Sequence, residues 1–181
     1  MTIEPDTERL LVEAAEYIRN RYFGKYRGLV NAVEDVDSPD TQNLGRIRAR
    51  VPEVYGDMIS PWALPAVPFA GDGHGLVVLP EVNDGVWIEF EAGDISRPVW
   101  SGCWWASGQL PAPGARAVRT LVTSGGHKVV LDDEAKKLQL LHSGGAELTM
   151  TDNDITLKIG SSQIVLSASG VSVNNGALEV K

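Results

Sequence analysis

The sequence predicts an all-β protein in three parts: an N-terminal amphipathic helix, a small barrel, and a C-terminal repeat of short strands closed by a homotrimer. Three observations carry this. From about Thr120 onward, pairs of apolar residues separated by one residue recur between Gly, Ser, Asn and Asp turns. The pairs are Val129/Leu131, Leu138/Leu140, Leu148/Met150, Ile155/Leu157, Ile164/Leu166, Val171/Val173 and Leu178/Val180, starting 9, 10, 7, 9, 7 and 7 residues apart. Composition then divides the chain, since all 12 aromatic residues lie between Tyr17 and Trp105 and all ten prolines at or before Pro113. Charge divides it too: residues 1–107 hold 9 Lys/Arg against 17 Asp/Glu, and residues 108–181 hold 7 of each.

Residues 6–22 have the spacing of an amphipathic helix, with Asp6 as N-cap and Glu8 favourable at the N-terminal end of the dipole. Leu10, Leu11, Ala14, Ala15, Ile18 and Tyr22 recur at intervals of three and four, and Gly24 ends the run. This N-terminal part covers 1–24, and its apolar stripe suits docking on another surface, because an isolated helix this short is marginal. Strands are expected at 26–33, 44–51, 63–69 with 76–79, 86–91 and 99–105. Turns at Asp37-Ser38-Pro39-Asp40, Gly71-Asp72-Gly73, Asn83-Asp84-Gly85 and Gly93-Asp94 separate them. Five short strands over 25–107 suit an OB-type barrel, and an SH3-like barrel has the same pattern. A Pro/Gly/Ala-rich stretch at 106–117 sets a linker at 108–119, and the repeat fills 120–181.

Two apolar residues at i and i+2 mark one face of a strand too short to bury much alone. A single-chain solenoid would have only two or three turns, near the minimum for a repeat stack. Three chains winding together would let each strand meet apolar partners from two other subunits and leave no long strand edge open. The expected trimer core is Val129, Leu131, Leu138, Leu140, Leu148, Met150, Ile155, Leu157, Ile164, Leu166, Val171 and Val173.

The barrel residues resemble a known family. Gly28-Leu29-Val30, Leu44-Gly45-Arg46-Ile47-Arg48-Ala49-Arg50-Val51-Pro52, Leu79-Pro80-Glu81-Val82-Asn83-Asp84-Gly85-Val86, and Gly93-Asp94 with Arg97-Pro98-Val99 follow in the family's order. They resemble the OB domain of phage baseplate assembly protein V and of VgrG-type spikes. Ser124-Gly125-Gly126-His127, with Val129, Leu131, Asp132 and Asp133, resembles the start of the triple-stranded β-helix needle of the same proteins. The resemblance implies a structural central spike of a contractile injection system or phage tail. Its partners would be a baseplate hub, a PAAR-like tip protein and, on firing, the target cell envelope. The chain departs from some relatives by having no lysozyme domain between barrel and needle, and no terminal His-x-His iron motif.

The residues offer little chemistry. Asp132-Asp133-Glu134 could form a metal or glycosidase-like cluster, but the run suits a solvated turn. His74, His127 and His142 are scattered, with no ligand spacing among them, and Ser124 lacks a nucleophile-elbow pattern. No catalytic, cofactor or metal site is expected. The net charge of −8 disfavours nucleic acid. Trp87, Trp100, Trp104 and Trp105, with Arg46, Arg48 and Arg50 alternating on one strand, leave an OB module binding carbohydrate or nucleic acid as the alternative. Under the spike reading, Arg46, Arg48, Arg50, Trp104 and Trp105 are the candidate hub contacts, and Leu178, Val180 and Lys181 the tip-protein platform. Cys103 is expected on a buried strand. The N-terminus has neither a Sec-type signal pattern nor a long apolar run, so synthesis in the cytoplasm and incorporation into a phage tail-like particle, released from the cell or not, are expected.

Overall fold

The computed structural model describes residues 5–34 and 42–180, so the expected turn at 37–40 and Lys181 lie outside the described residues. Helix α1 (Pro5–Arg19) opens the chain and stops three residues short of expectation. Five strands build a barrel: β1 (Tyr26–Val33), β2 (Ile47–Arg50), β3 (Leu64–Pro65), β6 (Gly85–Phe90) and β7 (Pro98–Trp104), in the order β2-β1-β6-β7-β3. Ala63, beside β3, exchanges both backbone hydrogen bonds with Ile47 of β2, which closes the sheet on itself. Val30, Ile47, Ala49, Val51, Ala63, Val86 and Ile88 point inward and are fully buried, with Tyr55, Phe90 and Trp100 around them.

Several elements differ from the sequence expectation. Strand β2 starts at Ile47 rather than residue 44, because Asn43 and Gly45 both take positive φ and bend the chain before it. That bend brings the backbone N–H groups of Gln42, Leu44 and Arg46 onto the Glu34 carboxylate, whose side chain is almost wholly buried. A short helix α2 (Pro52–Tyr55) follows β2, with Pro52 in its first turn and Gly56 at its C-terminus. Proline has no N–H to satisfy there, and glycine accepts the φ of +59° that ends the turn, so this element was readable. Residues 76–79 form no strand. Two-residue strands β4 (Ala70–Gly71) and β5 (His74–Gly75) make a small hairpin instead. Cys103 lies on β7 as expected but is exposed, because it stands beyond the irregularity that interrupts pairing with β6.

The chain divides into two units, Met1–Ala106 and Ser107–Lys181. The second is one eight-stranded sheet: β8 (Val118–Val122), β9 (Lys128–Asp132), β10 (Lys137–Leu141), β11 (Ala146–Met150), β12 (Asp154–Ile159), β13 (Ser162–Ser167), β14 (Gly170–Val173) and β15 (Leu178–Val180). Each strand pairs antiparallel with the next, so the order along the sheet is the order along the chain. Within one chain the backbone partners are neighbours in sequence, since turns this short favour hairpins.

Candidate interaction surfaces

Pairing fixes which side chains share a face. Across β9 to β15, Val129, Leu140, Leu148, Leu157, Ile164, Val173 and Leu178 stand directly opposite one another in turn. One pleat away, Leu131, Leu138, Met150, Ile155, Leu166, Val171 and Val180 do the same. Every apolar pair read from the sequence therefore falls into two unbroken rows on one face. The alternate positions carry Gln139, Thr149, Thr156 and Ser172 together with Val130, which is buried, and Val165, and Gln139 Nε2 donates to Thr149 Oγ1 at 3.1 Å. The apolar face is uncovered in the single chain: Leu140 is 50% exposed, Leu157 47% and Leu178 60%. A groove of about 760 Å³ opens along it, lined by Leu140, Leu148, Leu157, Ile164 and Val173.

The same register brings together two histidines that the sequence reading kept apart. His127 precedes Val129 by two residues and His142 follows Leu140 by two, so both extend the row in which those residues face each other. Their ring centroids are 4.5 Å apart. Backbone N–H groups of Ser143 and Gly144 donate to the Nδ1 atoms of His127 and His142 at 3.3 and 2.9 Å. His74 is on the barrel hairpin, packed on Phe69. Among the described residues no group of three or more His, Cys, Asp or Glu could hold a metal ion.

The carboxylate run behaves as a turn. Asp132 Oδ1 accepts from the N–H of Ala135 at 2.8 Å, Asp133 pairs with Arg119, and Glu134 is exposed.

On the barrel, Arg46 is separated from its neighbours. Its guanidinium binds Glu34 at 2.7 Å, and together with the three N–H groups it holds that carboxyl well below the usual carboxylate range. Arg48 and Arg50 point outward on β2, and Arg48 lies over the Trp62 ring at 4.8 Å. Trp100 belongs to the core and donates from Nε1 to Gly45 O. Trp104 lies flat over Gly85, where any Cβ would sit 2.6 Å from the ring, and donates to Val86 O. Arg27 stacks between Trp104 and Trp87, at 5.3 and 5.6 Å from the ring centroids. Trp105 is 65% exposed.

Comparison with known families agrees with both units. Residues 26–105 match the type VI secretion system/phage-baseplate injector OB domain. Residues 119–179 match the phage baseplate V C-terminal trimerisation domain. The chain belongs to the phage baseplate V family. Family membership gives it a structural role in a baseplate spike, and the second domain supports a homotrimer. No curated protein matches the chain. Among the described residues, no helix is long and apolar enough to cross a membrane.

Proposed function

We propose that three copies of this chain close their apolar sheet faces on one another to form the shaft of a central spike. This shaft would be the membrane-piercing needle of a phage tail or contractile injection system. The observation that carries the reading is the pair of unbroken apolar rows, exposed in one chain and continuous from β9 to β15. The shaft would carry sheath-contraction force by stiffness alone, and no bond is made or broken by this chain. The barrel would join it to a hub. Trp105 is the best candidate contact there, being the most exposed aromatic of the barrel strands and the segments beside them.

Leu178 on β15 is the tip side of the shaft in this reading. Together with Val180 and Lys181 it would seat a PAAR-like tip protein, Leu178 being 60% exposed. The alternative, an OB module binding oligonucleotide or glycan, draws on the Arg27 and Arg48 stacks on tryptophan. The acidic charge of the chain opposes an oligonucleotide ligand.

Solution mass tests the leading reading. The wild-type chain is expected as a trimer, and L157D or L166D as a monomer, because each would place three carboxylates against one apolar surface. Trimeric, protease-resistant variants would show that these side chains do not meet. Removing residues 176–181 should leave the trimer intact and abolish capture of the tip protein on the particle.

A further inference from the structure

Two surfaces of the N-terminal unit are left uncovered within one chain, and their chemistry is complementary. The first is helix α1. Its residues from Asp6 onward are exposed, Leu10 by 64% and Ile18 by 68%. At 100° per residue, Leu11, Ala14, Ala15 and Ile18 share one side with Leu10 at its margin, and Asp6 and Glu8 border the stripe. The helix carries Asp6, Glu8, Glu13 and Glu16 against Arg9 and Arg19, and Arg9 is already paired with Glu13. A helix of 15 residues is marginal in water unless a surface takes its apolar side.

The second surface is the outer face of β2, β1, β6 and β7. Pairing sets Arg50, Leu29, Gly85 and Trp104 in one row across the four strands, with Arg27 beside Trp87 one pleat along. Arg48 shares the Arg50 face of β2. Leu29 is exposed despite lying mid-sheet. Elsewhere in this acidic unit, Arg21, Lys25, Arg46 and Arg97 are ion-paired. Among the described residues, Arg27, Arg48 and Arg50 make no ion pair, although carboxylates outnumber cations around them. A face with apolar side chains, aromatic rings and three arginines that meet no carboxylate among the described residues fits an acidic amphipathic helix.

In one chain the helix does not lie on its own barrel face, since its residues from Asp6 onward are exposed. Asn20 N–H still bonds Glu16 O, Arg21 N–H bonds Ile18 O, and Tyr22 N–H is fixed to Gly93 O at 3.0 Å. The Tyr22 ring packs on Tyr26 and Phe90, and Arg21 pairs with Asp94. The exit is therefore clamped at the Phe90 end of β6. Trp104 and Leu29 sit at the Gly85 end, about 17 Å away at roughly 3.3 Å per residue. Only Asn20 and Arg21 stand between helix and clamp, and both are bonded to the helix backbone.

We propose that α1 is an exchanged arm, lying across the β2-β1-β6-β7 face of a neighbouring subunit. Leu11, Ala14 and Ile18 cover Leu29 and Trp104, and Asp6 and Glu8 meet Arg27, Arg48 and Arg50. The proposal rests on the homotrimer reading. Leu29, exposed in the middle of that face, gives the test once the single cysteine, Cys103, is replaced by serine, since Cys103 pairs with the inward Val86 on the other side of β7. Full-length A15C/L29C/C103S, treated with a short bifunctional maleimide, should yield two- and three-chain products beyond those of C103S. Restoring Leu29 should remove them. Replacing both Arg48 and Arg50 by Glu should lower the yield severalfold at unchanged mass. A trimer giving only single-chain looped product, no gain over C103S, products that survive the return of Leu29, or a yield indifferent to the arginines would overturn the arm while leaving the trimer standing. A monomeric mass would overturn both.

Discussion

The two units handle their apolar residues in opposite ways. In the barrel, Ile47 and Ile88 have no exposed surface, because a five-stranded sheet closed through Ala63 has an inside. In the C-terminal sheet the same kind of side chain, at Leu140 or Leu157, stays half open, because a single layer has two faces and no interior. Closure gives the barrel a core of its own, while the open sheet leaves one apolar face uncovered within the chain. Alternating strands alone therefore do not say whether a segment is stable by itself. What decides is whether the strands return to pair with the first.

That contrast can be broken most strongly on the sheet. L157D should cost several kcal/mol for each carboxylate enclosed in a trimer, abolishing the mass of three while the barrel keeps its near-UV signal from Trp100. Ile88→Ala is the complementary change. A cavity in the closed core should cost about 2–5 kcal/mol, read as a lower denaturant midpoint for the barrel transition without loss of trimer.

A third handle is acid. Glu34 has a folded pKa below its ordinary 4.5, first because Arg46 bonds its side chain and then because Gln42, Arg46 and Leu44 donate N–H groups, against burial. A lowered carboxyl contributes stability that is complete above 4.5 and lost as pH falls through the folded value. The barrel Tm should hold from neutral pH to about 5 and then drop, and E34Q should remove that acid-dependent part of the drop. The smallest effect is expected from Lys158→Ala on the polar face of the sheet. Its pair with Glu147 is exposed and 3.8 Å long, so a loss under about 1 kcal/mol, vanishing in high salt, is expected from calorimetry.

Much of this was legible in the chain. The i, i+2 pairs fall on one face of the repeat, because a strand has a period of two and short turns leave no freedom of register. The barrel strands β1, β6 and β7 lay within a residue of expectation at both ends, each bounded by Gly, Asp or Pro turn signals. The misses share a cause, namely contacts between residues distant in sequence. Arg46 looks free in its own strand and is bound only because Glu34 lies across the bend. Cys103 reads as buried from its neighbours, and only an irregularity against β6 turns it out. The His127–His142 pair is different. Both stand two residues beyond an opposed pair of the same hairpin, so strict application of the register would have found it.

The one-after-another order of β8 to β15 also has a kinetic meaning. Each hairpin links strands only a few residues apart, so closing it costs little chain entropy and takes on the order of microseconds. The barrel must instead bring Tyr26–Val33 against Gly85–Phe90 across half a hundred residues, which is the slower kind of search. During synthesis the slow element emerges first and has the whole translation time of the repeat in which to finish. The fast hairpins can then form and dissolve repeatedly until two more chains arrive. Encounter between chains, and so protein concentration, would set the pace at which this molecule becomes permanent.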